Sequence, residues 1–304
     1  MKLFTIILNY NHLKDLKETI DSFKLQDYAN NQLVVSDNNS SDKSVDWLRK
    51  EHPEIVVLDN KENLGWSGGN NVGIDYALAH KADIILLANN DLFFNDRNLI
   101  SNLIKEFNNK AGLGIIGPQE NEYYDKNKIA NQGWILYSKS KFTFNKIRKK
   151  YSDENFKNFK YVDNVSGSFM LIRADVFKKI GLIDDTFFLY GEDADFSLRS
   201  WKAGYASAIF PNNIVYHKGS ATAGKNSPLK IYYKTRNLIY IIRKHKDIQE
   251  NYYYFLWKYY YTNFKLFWKI ILKKEYAGNR LEKIQALILG LYHGVFKKQY
   301  KKYL

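Results

Sequence analysis

Cysteine is absent from this chain of 304 residues. That excludes a disulfide framework, a thiolate metal site and a catalytic thiol, so any metal must be held by oxygen or imidazole. Proline is scarce at 4 residues and glycine numbers 17, too few for collagen-like or Pro/Gly-rich disordered sequence. Long apolar runs are missing as well. None reaches the roughly 18 uninterrupted residues that a spanning helix needs. The run at residues 3–8 is too short for the apolar region of a secretory signal, and Asn9 ends it. No segment is expected to cross a membrane, and a cytoplasmic location is expected. Acidic residues number 32 against 46 basic ones, for a net charge of +14, and their deficit lies in one place. Residues 229–304 hold 17 lysines and arginines but only 4 aspartates and glutamates, an excess of 13 that leaves the first 228 residues nearly neutral. Charged partners are therefore a question about the last quarter of the chain.

A hydrophobic content of 45% suffices for one large core, or a core with an appendage. Short apolar runs at residues 4–8, 33–36, 55–58, 84–88 and 114–117 end in or next to Asn, Asp or Gly, as buried strands leading into loops do. Between them Leu13, Leu16, Ile20 and Phe23, then Val45 and Leu48, then Val72, Tyr76 and Ala79 recur at helical spacing. This β-α-β-α series predicts an α/β fold whose strand ends line a ligand crevice. Residues 121–160 lose the rhythm and read as an insertion of irregular or weak structure. A strand at 167–172, helices at 174–180 and 193–202 closed by Gly181 and Gly204, and two short strands at 206–210 and 214–217 follow. The expected organisation is a domain at 1–228, comprising 1–120, the insertion 121–160 and a second half 161–228, with a basic, aromatic helical extension at 229–304.

Four polar clusters sit at strand ends. Asn9-Tyr10-Asn11 and Asp37-Asn38-Asn39-Ser40 supply donors and acceptors suited to a pyrimidine ring and a ribose; the second equally suits a chain turn with a helix cap. Asn63-Leu64-Gly65-Trp66-Ser67-Gly68-Gly69-Asn70-Asn71 offers glycines for close backbone approach and a helix start for an anion. It is neither a P-loop nor a dinucleotide fingerprint, and a flexible loop explains it as well. Asn89-Asn90-Asp91 places a carboxylate where a hard divalent ion can share it with a diphosphate, with His217 ending another strand as a second ligand. An Asn-Asp turn is the plain alternative. Glu192-Asp193-Ala194-Asp195 opens a helix, where acids complement the helix dipole. A helix needs only one cap, and a carboxylate whose pKa is raised by burial or a like charge is a usable base toward a hydroxyl. Asp193 is the candidate base and Glu192 the residue that orients the acceptor or tunes its neighbour.

In this order the blocks ILNYN, VVSDNNSSD, NLGWSGGNN, LLANND, GSFMLIR, FFLYGEDADFSLR and VYHKGSAT resemble a family 2 glycosyltransferase of the GT-A fold, over about residues 1–240. The likeness is to the branch of bacterial rhamnosyltransferases and galactofuranosyltransferases. It implies a Rossmann-like nucleotide-sugar-binding domain with a mixed central sheet. It further implies that Asp37 and the Asn9–Asn11 region hold the nucleotide base, that Asn63, Gly65, Asn71 and Asn90 shape the donor pocket, and that Asp193 is the catalytic base. Asp91 corresponds to the last acid of the family's DxD metal motif and His217 to a histidine completing the metal and diphosphate site. The first acid of that motif is Asn89 here, so a Mn or Mg ion would rest on Asp91 and His217. The implied reaction is an inverting transfer from a nucleoside-diphosphate sugar, dTDP-rhamnose first and a UDP-sugar second, to a cell-surface glycan or lipid-linked acceptor. Two other readings stay open at this point: a sugar-nucleotide pyrophosphorylase, whose Arg-bearing glycine loop after the first strand is missing, and a nucleic-acid-binding protein.

The extension interleaves Tyr253, Tyr254, Phe255, Trp257, Tyr259, Tyr260, Tyr261, Phe264, Phe267 and Trp268 with Lys258, Lys265 and Lys269. Tyr254, Trp257, Tyr261, Phe264, Trp268 and Ile271 fall on one side of a helix. Leu287 to Leu291, flanked by Lys283, Lys297, Lys298, Lys301 and Lys302, form a second amphipathic piece. Peripheral contact with an anionic membrane is favoured over packing on the catalytic domain, and nucleic acid comes third.

Overall fold

A computed structural model describes residues 1–110, 112–138, 141–146, 159–219, 226–249 and 251–296, with side chains described outside 134–146. Four apolar runs form parallel strands: β1 (Leu3–Asn9), β2 (Asn31–Asp37), β3 (Val56–Asp59) and β4 (Ile84–Asn89). Their connections are α1 (Leu13–Lys24), α2 (Ser44–Glu51) and α3 (Gly65–Ala79). The short strand β5 (Leu92–Phe93), helix α4 (Leu99–Asn109), the long strand β6 (Leu113–Glu122) and β7 (Ile129–Asn131) come next. Then come the hairpin β8 (Trp134–Ser138) and β9 (Lys141–Lys146), then β10 (Lys160–Val162), β11 (Phe169–Arg173), α5 (Ala174–Ile180), α6 (Glu192–Lys202) and β12 (Ala206–His217). The sheet runs β10-β12-β6-β11-β4-β1-β2-β3 and is mixed: β11 lies antiparallel between β4 and β6, and β12 is parallel to β6.

Side chains alternate across the sheet and bury both faces. On β4, Ile84, Leu86 and Ala88 pack with Leu16, Ile20 and Phe23 of α1 and with Leu99, Leu103 and Phe107 of α4. Ile85 and Leu87 pack on the other face with Ile74 of α3, Val176 of α5 and Phe196 of α6. Strand order reverses at β1 and β4, so the crevice opens at their C-terminal ends. Because β6 and β12 run in the same direction as β4, their ends reach the same edge.

Three expectations are corrected here. Residues 206–217 form one strand, with a register shift between Phe210 and Ile214 where Pro211 interrupts the pairing. The glycine cluster is the first turn of α3 rather than a flexible loop. The insertion carries β7 and the β8–β9 hairpin, because its aromatic and β-branched residues WILYS and KFTFNK suit strands; its residues 147–158 lie outside the described ones.

The extension is helical: α7 (Pro228–Lys244), α8 (Tyr252–Leu272) and α9 (Arg280–Phe296). Pro228 starts α7 and the Ser227 hydroxyl accepts from Lys230 N. Ile239, Ile241 and Ile242 of α7 join Phe255 and Tyr259 of α8 in a cluster with Phe187 and Leu198, so the extension packs on α6 and the loop before it. Among the described residues no helix is long and apolar enough to cross a membrane.

Candidate active site

Three strand ends meet at one point. Asp91 follows β4, Glu120 lies near the end of β6 and His217 ends β12. The imidazole sits between the two carboxylates, with Nε2 3.1 Å from Asp91 Oδ1 and Nδ1 3.7 Å from Glu120 Oε2. Burial opposes charge on all three. The opposite charges prevail: both carboxyls are held below their ordinary range, and the imidazole is pushed up to about 10. Asp91 Oδ2 also accepts from Gly219 N at 3.1 Å, and Glu120 Oε1 accepts from the Ser168 hydroxyl.

Asp193 approaches this cluster through Gly167 and Ser168, at the start of β11. Its Oδ2 accepts from Gly167 N at 3.3 Å and its Oδ1 from Ala194 N at 2.8 Å. Burial pushes its carboxyl above the ordinary aspartate range, and the Glu120 charge adds to this. Gly167 is compelled by its neighbours: a Cβ there would lie 2.9 Å from the Trp66 ring and 3.4 Å from Asp193 Cβ. Trp66 in turn donates from Nε1 to Asn89 Oδ1 at 3.0 Å, tying the first turn of α3 to the end of β4. Asp91, Asp193 and His217, far apart in sequence, are thus neighbours across a few side chains.

The acids that open α6 divide into three roles. Asp195 is fully buried, bonded to His245 Nε2, Lys244 Nζ and Arg199 Nε, each 2.9 Å away. Although burial works against its charge, these partners bring its pKa down to about 2. Glu192 is 5% exposed with Oε2 unpartnered, and burial followed by the Asp193 charge pushes it well above the ordinary range. Asp193 alone keeps partial access to solvent.

The loop before them is strained. Phe188 and Tyr190 hold φ of 62° and 68°, and Gly191 holds 96°. Helix α7 imposes that shape. Asn237 Nδ2 lies 2.6–2.9 Å from the carbonyls of Phe187, Leu189 and Tyr190, and Arg236 Nη2 donates to those of Thr186 and Phe187. Burial and Glu192 push the Tyr190 hydroxyl up to about 12.

The other expected residues fall into two groups. Asn90 donates to Asn9 Oδ1 at 2.7 Å and to the Asn11 carbonyl at 3.2 Å, so β1 and β4 are linked at the crevice. Asn9 and Asp37 are 0% exposed: Asn9 Nδ2 donates to Asp37 Oδ2 at 2.7 Å, and the Asp37 carboxylate also accepts from Ser40 N and Oγ. Their polar atoms hold the turn after β2, while Tyr10 and Asn39 beside them are exposed and Asn11, Ser40 and Asn90 are half-buried. Asn63 Oδ1 accepts from Gly65 N at 2.9 Å and Asn38 Nδ2 at 3.2 Å. Gly65, at φ 72°, has no room for a side chain against Phe188. The N–H groups of Trp66 and Ser67 donate to the Phe188 carbonyl, so this helix start is capped by protein and is not the open anion cradle its glycines suggested. Asn71 is spent outside the crevice, bonded to both backbone groups of Ile183.

Sequence reasoning missed Glu120, Ser168, Trp66, Arg236 and Asn237 as parts of the site. Glu120 was hidden by ending the strand at 117, and the α7 pair by assigning it to a basic tail. Ser220, Ala221 and Thr222 of the last block, and Lys297, Lys298, Lys301 and Lys302, lie outside the described residues.

Among the described residues no three acidic or imidazole side chains enclose a metal ion by themselves. Asp91 and His217 nonetheless fit one that takes further oxygens from a diphosphate: Asp91 Oδ1 is buried with no hydrogen-bond donor beyond the His217 ring.

Comparison with known proteins gives the family and the fold. The family model "Glycosyl transferase family 2" matches residues 5–181, and "Glycosyl transferase family group 2" matches 129–288. The chain is 29% identical over 204 residues to the low-salt glycan biosynthesis hexosyltransferase Agl10 of Haloferax volcanii, covering 65% of this chain and 61%, under two thirds, of that one. It is 27% identical over 259 residues to the dTDP-rhamnosyl transferase RfbF of Shigella flexneri, with 80% of each covered. It is 22% identical over 259 residues to the N-acetylglucosaminyl-diphospho-decaprenol L-rhamnosyltransferase of Mycobacterium tuberculosis, with 79% and 84% covered. In fold it is similar to the mannosyltransferase PcManGT of Pyrobaculum calidifontis, solved with GDP-Man and Mn2+, at a TM-score of 0.59 and 13% identity over 98% of this chain and 88% of that one. With a family model matching more than half of it, the chain belongs to glycosyltransferase family 2, resembles its bacterial rhamnosyl- and galactofuranosyltransferases, and has the GT-A fold.

Proposed function

We propose that this enzyme moves a sugar, with inversion at the anomeric carbon, from a nucleoside-diphosphate sugar to a hydroxyl of a glycan or lipid-linked acceptor. One observation carries the reading: Asp193, the one acid of its cluster that is half-buried rather than buried, stands beside the Glu120–His217–Asp91 group at the strand-end crevice.

Asp193 takes the proton of the acceptor hydroxyl as that oxygen attacks the anomeric carbon. The bond from that carbon to the diphosphate breaks in the same displacement, so no enzyme-bound sugar forms. A carboxyl raised by burial is a stronger base than a surface aspartate, and general-base assistance of this kind contributes about 10²–10⁴ in rate. Gly167 N and Ala194 N fix the carboxylate in place. Asp91 and, once its imidazole gives up the proton it shares with Asp91, His217 would hold a divalent ion, which supplies positive charge for the departing diphosphate when bound. Asn9 and Asp37 keep the ends of β1 and β2 in register for the nucleotide, with the half-buried Asn11 and Asn90 at its edge. Asn63 and Gly65 shape the start of α3 behind the donor.

The Shigella relative's name makes dTDP-rhamnose the first donor to test, with a UDP-sugar second. The Mycobacterium relative's name favours a lipid-linked acceptor in polysaccharide biosynthesis, for which the enzyme would work as a peripheral protein on the cytoplasmic face of a membrane. The test is release of nucleoside diphosphate on adding donor and acceptor together, after ranking nucleotide sugars by thermal stabilisation with and without Mn. A chain stabilised by none of them, and releasing none, would not have this function.

A further inference from the structure

The extension turns its most aromatic surface to solvent. On α8, Phe255, Tyr259, Asn263 and Ile270 are buried; Tyr259 donates its hydroxyl proton to the Thr235 carbonyl of α7, and Thr235 donates to Asn263 Oδ1. The opposite side of the same helix carries Tyr253, Trp257, Tyr261, Phe264 and Trp268, all between 44% and 81% exposed. Trp257 and Tyr261 stack with centroids 5.2 Å apart, so neighbouring rings of the stripe lie against each other. The residues whose spacing suggested a stripe in the sequence are therefore on the outside, and packing on the catalytic domain does not account for them.

Helix α9 repeats the pattern. Ala286, Leu287, Gly290 and Gly294 pack inward, against Tyr232, Thr235 and Ile239 of α7 in the case of the glycines. Leu281, Ile288, Tyr292 and Phe296, at steps of seven, four and four, are 47–84% exposed. Both helices therefore rest on α7 and turn apolar faces away from it. Charge follows the stripe: α8 has no Asp or Glu, and Lys258, Lys265 and Lys269 recur at steps of seven and four along one edge of its rings. Lys265 Nζ lies 4.4 Å over the Tyr261 ring.

We propose that the outward faces of α8 and α9 form a docking surface for a membrane bearing anionic lipids, with both helices lying in the headgroup layer. Tyr and Trp favour that depth, where the ring is apolar and the hydroxyl or indole N–H stays wet, and lysines beside them meet lipid phosphates. Neither helix is apolar enough to span. A second copy is the poorer occupant, because it would face one basic extension with another when each carries an excess of 13 positive charges. The surface lies outside the candidate active site and rests on the proposed reaction only for the purpose it serves.

The test is sedimentation of the full chain with phosphatidylcholine vesicles containing or lacking about 30% phosphatidylglycerol, at low and high salt. Binding is expected to the anionic vesicles only, weakening with salt. Trp257→Ser with Trp268→Ser, and separately Lys258→Glu with Lys265→Glu, are each expected to weaken it at least about tenfold. All four positions are on the outer surface, so donor-induced thermal stabilisation should be unchanged in both variants. Retained vesicle binding by Asp193→Asn would support docking independently of the reaction. Failure of the unaltered chain to bind anionic vesicles at low salt would overturn the proposal. So would stripe variants that bind as well as it does, or salt-sensitive binding to oligonucleotides in place of vesicles, or a dimer that the stripe variants dissolve while vesicles are ignored.

Discussion

Truncating Asn237 to alanine tests whether α7 holds the loop that presents Asp193. The side chain is 1% exposed, and its two amide hydrogens serve the carbonyls of Phe187, Leu189 and Tyr190. Removing them takes that donor from the part-buried Leu189 and Tyr190 carbonyls, at about 1–3 kcal/mol each, while the Phe187 carbonyl keeps Arg236 Nη2. It also removes the restraint on Phe188 and Tyr190, whose positive φ angles cost about 1–3 kcal/mol apiece. If about 1.5–3 kcal/mol of this is released as loop motion, kcat should fall about 10- to 100-fold, since each 1.4 kcal/mol is a factor of ten. Donor affinity, set by the ends of β1, β2 and β4, should change by less than about threefold, a factor worth under 1 kcal/mol. Steady-state kinetics of nucleoside diphosphate release, with donor binding measured separately, would show the split. Full kcat in Asn237→Ala, or equal losses in kcat and donor affinity, would refute the reasoning.

Other predictions concern single positions. Asp91→Ala should weaken nucleoside diphosphate binding in the presence of Mn while leaving the fold intact; unchanged affinity by calorimetry would remove Asp91 from the metal and diphosphate site. Gly167→Ala pushes a methyl against the Trp66 ring and Asp193 and should lower kcat with little change in unfolding midpoint; an unaltered kcat would mean the contact yields freely. Asp195 has its pKa brought from 3.8 to about 2 in the folded chain. Its ionisation therefore stabilises the fold above the ordinary aspartate pKa, by about 2 kcal/mol, and this is lost as pH falls from about 4 toward 2. Urea unfolding should show the advantage over Asp195→Asn holding steady from about pH 7 to 5 and shrinking below about pH 4. An advantage that grows with acidity would contradict the buried ion cluster.

The part of the fold that was legible is the part that repeats. Apolar runs of four to six residues that end in Asn or Asp gave β1 to β4 their places, and the strand-end rule then brought Asp91 and His217 to one edge before any coordinates. The rule failed where polar residues are buried in strand. Gln119, Glu120 and Asn121 lie past the expected strand end at 117, yet they continue β6 because Ser168, His217 and one another satisfy them. Asp37 illustrates the reverse case: its position was legible, but its saturation by Ser40 and Asn9 depends on how a turn folds back. Arg236 and Asn237 were invisible as site residues because nothing local marks a helix that reaches some 50 residues back along the chain. The aromatic stripe of α8 was found by spacing, but periodicity alone does not say which face is buried.

The most direct test of the account is Asp193→Asn, which keeps the shape of the side chain and its place at the start of α6 while removing the base. Nucleotide-sugar binding with Mn should stay within about threefold of the unaltered chain, and sugar transfer should drop by about 10²–10⁴. Transfer at the original rate would show that some other group takes the acceptor's proton.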